Sequence, residues 1–266
     1  MERISSRQNA VVRQFRDVAQ GVVPDAMLLD GDHLIQEALA SGVTVDVAAF
    51  SERLADSRLA ASLQSAGTRV VVVSSAVLDA MSPVRSPTGV VAIAKRPAAG
   101  LQDAIAKSPA LVLMLYDVQD PGNVGAVSRA AEGCGATGVV CSEHTADPFG
   151  WKALRGSMGS TFRLPVATRQ ALPAAIAAAR TSGLRVFATT ARGGTPLPEC
   201  DLRVPAAILL GGEGGGLPAD LVDAADATLT IPMQPPVESL NVAIAAALVV
   251  YEAARQRQTR GVHVTL

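Results

Sequence analysis

The chain has 266 residues, 49% of them hydrophobic and 18% charged, with a formal net charge of −1. That length suits one large domain or two small ones, and the apolar fraction excludes a disordered chain. The apolar runs near 110–116 and 242–251 are too short for a membrane span, which takes roughly 18–20 residues, and the opening MERISSRQNAVVRQF lacks the apolar centre of a secretory signal.

Taken in chain order, the first clear pattern predicts a helix over 32–41, with Leu34, Ile35, Ala38 and Leu39 at helical spacing and Gly42 closing it. A strand over 43–50, a helix over 51–66, a strand over 69–73, a short helix over 75–81 and a strand over 89–94 follow. A composition shift over 95–108 (KRPAAGLQDAIAKS) predicts domains 1–98 and 108–266 joined by a linker at 99–107. Beyond it, the continuous apolar run 110–116 reads as a strand buried on both faces. Helices are predicted over 122–132, 171–182, 218–224 and 239–255, strands over 138–141, 184–189, 206–210 and 227–231, and a frayed tail over 256–266. Alternating strands and helices imply an α/β layered fold.

The near-neutral charge is an average. Pro148 to Pro198 holds no Asp or Glu but carries Lys152, Arg155, Arg163, Arg169, Arg180, Arg185 and Arg192. The first 16 residues add Arg3, Arg7, Arg13 and Arg16 against Glu2 alone. Two such stretches meeting on one face would attract a polyanion with steep salt dependence, although ordinary solvated surface accounts for the charge equally well. Cys134, Cys141 and Cys200 form no pairing framework, which points to a reducing cytoplasm. With His33, His144 and His263 scattered, no metal site is expected. No phosphate-binding G-x-x-x-x-G-K-[ST] loop and no G-x-S-x-G elbow is present. GCGATG (133–138) matches G-x-G-x-x-G in letters, but it follows a helix and opens a strand, so it reads as a helix end and turn rather than a dinucleotide loop.

Three segments stand out. In DVQDPGNVGAVSRAAEGCGA (117–136) a buried strand feeds a Pro-Gly turn, with Asn123 at a helix start and Arg129 on a mainly apolar helix face. An N-cap and a surface Arg account for that pair as well. In ILLGGEGGGLP (208–218) a buried strand runs into glycines around Glu213, a density that marks turns or backbone against a ligand. In IPMQPPVESLNVAIAAALVVYEAA (231–254) a proline-bounded loop leads to Ser239 and Asn241, either able to cap a small-residue helix suited to close packing.

In this order the three segments resemble the SpoU/TrmH branch of the SPOUT RNA methyltransferases, whose pattern is N-x-G-x-x-x-R, then G-x-E-x-x-G, then I-P-M…S-L-N-V. Residues 1–98 are similar to the L30e-like substrate-binding domain of such enzymes through ISSRQN (4–9), LLDGDHLIQEAL (28–39) and SPVRSPTGVVAIA (82–94), with Asp30 where Glu is usual. The resemblance implies an α/β fold with a deep C-terminal trefoil knot, a cytoplasmic homodimer, and S-adenosylmethionine (SAM) as cofactor for 2′-O-ribose methylation of RNA, most often 23S rRNA. A tRNA methyltransferase and a non-catalytic RNA-binding relative are the alternatives. It further implies catalytic roles for Arg129, Asn123, Glu213, Ser239 and Asn241. The cofactor would be lined by Thr189, Gly211, Gly212, Ile231, Met233 and Leu240, and RNA would meet Arg3, Arg7, Asn9, Lys152, Arg155 and Arg163. Because a guanidinium stays protonated, Arg129 is expected to clamp the target phosphate and developing alkoxide rather than act as base.

Overall fold

The computed structural model describes residues 1–258. They divide into one unit of 1–98 with 149–162, and another of 99–148 with the residues from 163 on.

The first unit carries one sheet in the order β1-β4-β3-β5-β2, built from β1 (Glu2–Ile4), β2 (Ala26–Asp30), β3 (Val45–Ser51), β4 (Arg69–Val73) and β5 (Val90–Lys95). The pairs are parallel except where β5 meets β2 and β3. Its helices are α1 (Ala10–Ala19), α2 (Asp32–Ala40), α3 (Arg58–Ser65) and α4 (Ser75–Met81). β1, α1 and β2 precede the first predicted element. α1 nevertheless has a readable signal: Asn9 accepts from the Val11 amide as N-cap, and Val11, Val12, Phe15 and Val18 form its buried stripe. The single helix predicted over 51–66 is broken. A 3₁₀ turn occupies Glu52–Leu54, and α3 starts afresh because Ser57, in extended geometry, accepts from the Ala60 amide. A residue that caps so well competes with continuing the helix.

In the second unit the interval read as a linker holds α5 (Leu101–Ile105), whose Ala104 and Ile105 are buried. Then come β6 (Leu111–Tyr116), α6 (Pro121–Gly133) and β7 (Gly138–Ser142). α5 lies so close to β7 that a Cβ added at Gly138 would stand 2.5 Å from the Ala104 carbonyl oxygen. GCGATG is a helix end and turn as expected: the Ala136 amide donates to Ala131 O, and Gly135 has φ +79.

The sequence reading placed no element between 142 and 170, but three form there: α7 (Trp151–Ser157), α8 (Ser160–Arg163) and β8 (Val166–Gln170). α7 packs on β2, with Trp151 against the apolar core of the first unit. The chain continues through α9 (Leu172–Thr181), β9 (Arg185–Thr189), β10 (Thr195–Pro196), β11 (Ala206–Gly211), α10 (Ala219–Asp223), β12 (Ala227–Thr230) and α11 (Val242–Arg257). Gln256 and Arg257, assigned to the frayed tail, complete α11, and Arg257 donates to the carbonyls of Leu202, Val204 and Ala110. The rest of that predicted tail, from 259 on, lies outside the described residues.

The second sheet runs β10-β12-β9-β11-β6-β7-β8 with every pair parallel. Its central strands are buried apolar runs, as parallel strands covered on both faces require. Because β12, β9, β11 and β6 are adjacent and parallel, their carboxyl ends lie along one edge, where ligands of open α/β sheets bind. No helix among the described residues is long and apolar enough to cross a membrane.

Candidate active site

The loops leaving β9, β11 and β12 enclose a cavity of about 590 Å³, within the range of small-molecule sites. All six predicted cofactor residues, Thr189, Gly211, Gly212, Ile231, Met233 and Leu240, line it, with Glu213, Ser239 and Asn241. Sequence reasoning missed Thr190, Ala191, Leu217 and Val242, which adjoin it in the same loops.

Backbone packing explains the glycines. A Cβ at Gly212 would stand 2.0 Å from Asp117 O, and one at Gly211 would stand 2.3 Å from the Gly216 carbonyl carbon. Gly212 also donates its amide to Tyr116 O at 2.7 Å. Asp117 itself is held at φ 52, a left-handed conformation unusual for a residue with a side chain. Gly214 and Gly216 have φ +90 and +64, and a Cβ at Gly214, Gly215 or Gly216 would meet nothing within 4 Å. The same loop therefore combines a fixed root with an open, backbone-lined tip.

The three sequence motifs meet side chain to side chain. Asn123 Nδ2 donates to Glu213 Oε1 at 2.8 Å, and Asn241 Nδ2 donates to Asn123 Oδ1 at 3.0 Å and to Glu213 Oε1 at 3.1 Å. Asn241 is also the N-cap of α11, its Oδ1 accepting from the Ala243 amide at 2.9 Å. One side chain thus starts the helix and ties its entry to the other two motifs. Asn123 is not the cap of α6. Asp120 takes that role, accepting from the Asn123 amide at 2.9 Å, which leaves the Asn123 side chain for the triangle. Ser239 lines the cavity without capping a helix.

Arg129 stands apart from this cluster. It is exposed, and not on the inner apolar face of α6, which is formed by Val124, Val127, Ser128 and Ala131. It does not line the cavity, and it has no hydrogen bond or ion pair among the described residues. Six residues of helix separate it from Asn123, a rotation of about 600° that sends the two in different directions.

The predicted RNA contacts are partly engaged elsewhere. Arg3 pairs with Glu52 at 3.6 Å, Arg7 donates to Ala76 O, and Asn9 is the α1 cap. Lys152 sits 5.4 Å from the centre of the Trp151 ring, and Arg155 is exposed near Asp30. Burial holds the Asp30 carboxyl above its ordinary range, while the Ser82 hydroxyl and Arg155 act against that rise. Arg163 is clamped by both oxygens of Glu132. The basic window is also less basic in three dimensions than along the chain: Arg163, Arg180 and Arg192 pair with Glu132, Asp226 and Glu238 from outside it. No group of His, Cys, Asp and Glu able to hold a metal ion occurs among the described residues. Burial raises the Cys141 thiol to about 12, and its neighbour Asp147 adds to the shift, so it is no nucleophile.

Comparison with known proteins agrees with this geometry. Residues 110–251 match the model of the SpoU rRNA Methylase family, and residues 24–92 match the MRM3-like substrate binding domain. The chain is 32% identical over 255 residues to the 23S rRNA (guanosine(2553)-2′-O)-methyltransferase RlmP of Bacillus subtilis (strain 168), covering 94% of this chain and 98% of that one. It is 32% identical over 247 residues to the 23S rRNA (guanosine-2′-O-)-methyltransferase RlmB of a Burkholderia species, covering 90% and 100%. The AdoMet-bound rRNA methyltransferase from Sinorhizobium meliloti superposes with a TM-score of 0.87 at 28% identity, covering 97% and 99%.

Proposed function

The chain belongs to the SpoU rRNA methylase family, and from that premise we infer that it is a SAM-dependent (ribose-2′-O)-methyltransferase of 23S rRNA. The observation that carries the reading is the joining of Asn123, Glu213 and Asn241, one from each motif, at a cavity lined by every residue expected to hold the cofactor. The cavity fits that group. Leu210, Leu229, Ile231, Met233 and Leu240 offer an apolar wall for a purine, and the open Gly214–Gly216 backbone offers close polar approach.

When bound, SAM supplies a methyl group activated by its sulfonium. The chain's part is to hold the ribose hydroxyl in line and to stabilise the charge it gains as its proton leaves. Asn123, Glu213 and Asn241 act as positioning residues, since their hydrogen bonds fix the loops to each other. Ser239 stands at the cavity beside them. Arg129, a permanent cation with no partner of its own chain among the described residues, is the clamp for the target phosphate and alkoxide. The unit of 1–98 with 149–162 is the RNA-binding domain and that of 99–148 with the residues from 163 on the methyltransferase domain, with Arg3, Arg7, Asn9, Lys152, Arg155 and Arg163 as RNA contacts and the knot in the C-terminal part. Both rRNA relatives named above act on guanosine, which favours a guanosine ribose as the target. The chain's three unpaired cysteines fit a reducing cytoplasm as the place of work. Methyl-labelled SAM should mark 23S rRNA and leave tRNA unlabelled; labelling of tRNA alone would reverse the substrate choice.

The working form is a homodimer. Ile244, Leu248 and Tyr251, spaced one and two turns apart on α11, are 53%, 41% and 64% exposed, while the opposite face of the helix is buried in its own unit. Such an unpartnered apolar stripe fits a second copy, and α11 also packs on α6, the helix carrying Arg129. Leu248→Glu is expected to weaken the dimer by about a hundredfold or more, since a charge would be stranded in the interface. Light scattering across concentration checks this, and a mutant that stays dimeric would count against the stripe.

A further inference from the structure

The cavity wall lacks one element that its ligand needs. The cofactor's methionine end carries an α-carboxylate and an α-ammonium, yet Glu213 is the one charged residue among the described residues lining the cavity, and its Oε1 already accepts from two amides. Leaving a carboxylate beside an apolar wall without a cation is costly.

The residues one step along the chain from the lining supply the missing charges. Only Arg192, next to Ala191, and Glu238, next to Ser239, are charged among them. They pair at 3.7 Å, each one residue from the cavity lining, with side chains 82% and 83% exposed. The loop bearing Arg192 is short and pinned at both ends: the Thr190 amide donates to Leu229 O at 2.9 Å, and the Gly194 amide donates to Thr230 Oγ1 at 3.0 Å. So short a loop keeps the Arg192 backbone beside the cavity, within reach of a ligand held there. An exposed ion pair of this kind contributes little, so each partner is free to exchange. An Arg and a Glu side by side are also the charge complement of an α-amino acid end group.

We propose that Arg192 and Glu238 form the subsite for the amino acid end of the cofactor, with Arg192 taking the carboxylate and Glu238 the ammonium. On binding, the pair opens and each side chain replaces its partner with the oppositely charged ligand group. Arg192 is thereby a specificity-determining residue that separates the full cofactor from adenosyl fragments without the tail. This rests on the cofactor reading given above.

The test is calorimetric binding of two stable probes to the full chain: S-adenosylhomocysteine, which has the tail, and 5′-methylthioadenosine, which lacks it. Arg192→Ala should weaken the first by about tenfold, the loss of one charge-assisted contact at an exposed site, and leave the second unchanged. Arg192→Lys should restore part of the loss, and Glu238→Gln should show a smaller loss, again for the first probe alone. Equal loss for both probes would mean that Arg192 only shapes the loop, and no loss for either would mean that it serves another ligand such as RNA. Either result overturns the subsite, as does equal affinity of the wild-type chain for the two probes, with the cofactor reading left standing. Failure of the wild-type chain to bind either probe would overturn the cofactor reading itself.

Discussion

Arg129→Ala is expected to lower methyl transfer to RNA by about 10²–10³-fold or more, the usual cost of removing one group that stabilises charge in a transition state. S-adenosylhomocysteine binding should stay within about twofold, well under the 1.4 kcal/mol of a tenfold change, because Arg129 does not line the cavity. Its exposure and its lack of a partner among the described residues make the substitution harmless to the fold, so lost activity cannot be ascribed to unfolding. Single-turnover transfer measured beside calorimetry separates the two effects. Retained activity would return Arg129 to the status of a surface residue and leave the reaction without a cation at the target.

Gly212→Ala should weaken cofactor binding severely. The added Cβ would stand 2.0 Å from Asp117 O and 2.7 Å from its carbonyl carbon. Both atoms are backbone, so no side chain can rotate to relieve the clash. The hydrogen bond from the Gly212 amide to Tyr116 O, which seats the glycine loop on the end of β6, would have to lengthen with it. Overpacking of this kind costs typically about 1–3 kcal/mol, and at this place the strain falls on the loop carrying Glu213. We expect S-adenosylhomocysteine affinity to fall by about a hundredfold, equivalent to some 2.8 kcal/mol. Gly133→Ala is the control, since its Cβ meets nothing within 4 Å, its φ is not positive and it does not line the cavity. Equal effects of the two substitutions would show that the loop is not held as described.

Much of the second unit was legible because its signals are local. The apolar run 110–116 reads as a doubly covered strand, and Leu111–Tyr116 form one. The glycines around Glu213 and the residues at 239–241 announce a turn and a helix entry, and the structure uses Asn241 for both the cap and the site. What stayed hidden depends on distant partners. Asn123 looked like a helix cap until Asp120 took that place and freed its amide for Glu213. The window around Lys152 and Arg155 looked like a basic surface stretch, because the pattern of Trp151–Ser157 gains meaning only against β2. The excess charge of that window shrinks once Glu132, Asp226 and Glu238 approach from elsewhere in the chain. Pairing across such sequence distances leaves no periodic trace. The N-terminal helix is a different case: its cap at Asn9 and its stripe through Phe15 were there to be read.

The most direct test is the chemical identity of the product. 23S rRNA incubated with the protein and methyl-labelled SAM is digested to nucleosides and resolved by mass spectrometry. The account predicts label in a single 2′-O-methylated nucleoside, a guanosine, formed at least about a hundredfold more slowly with Arg129→Ala. Label on a nucleobase, or no label with a wild-type chain that binds S-adenosylhomocysteine, would contradict it.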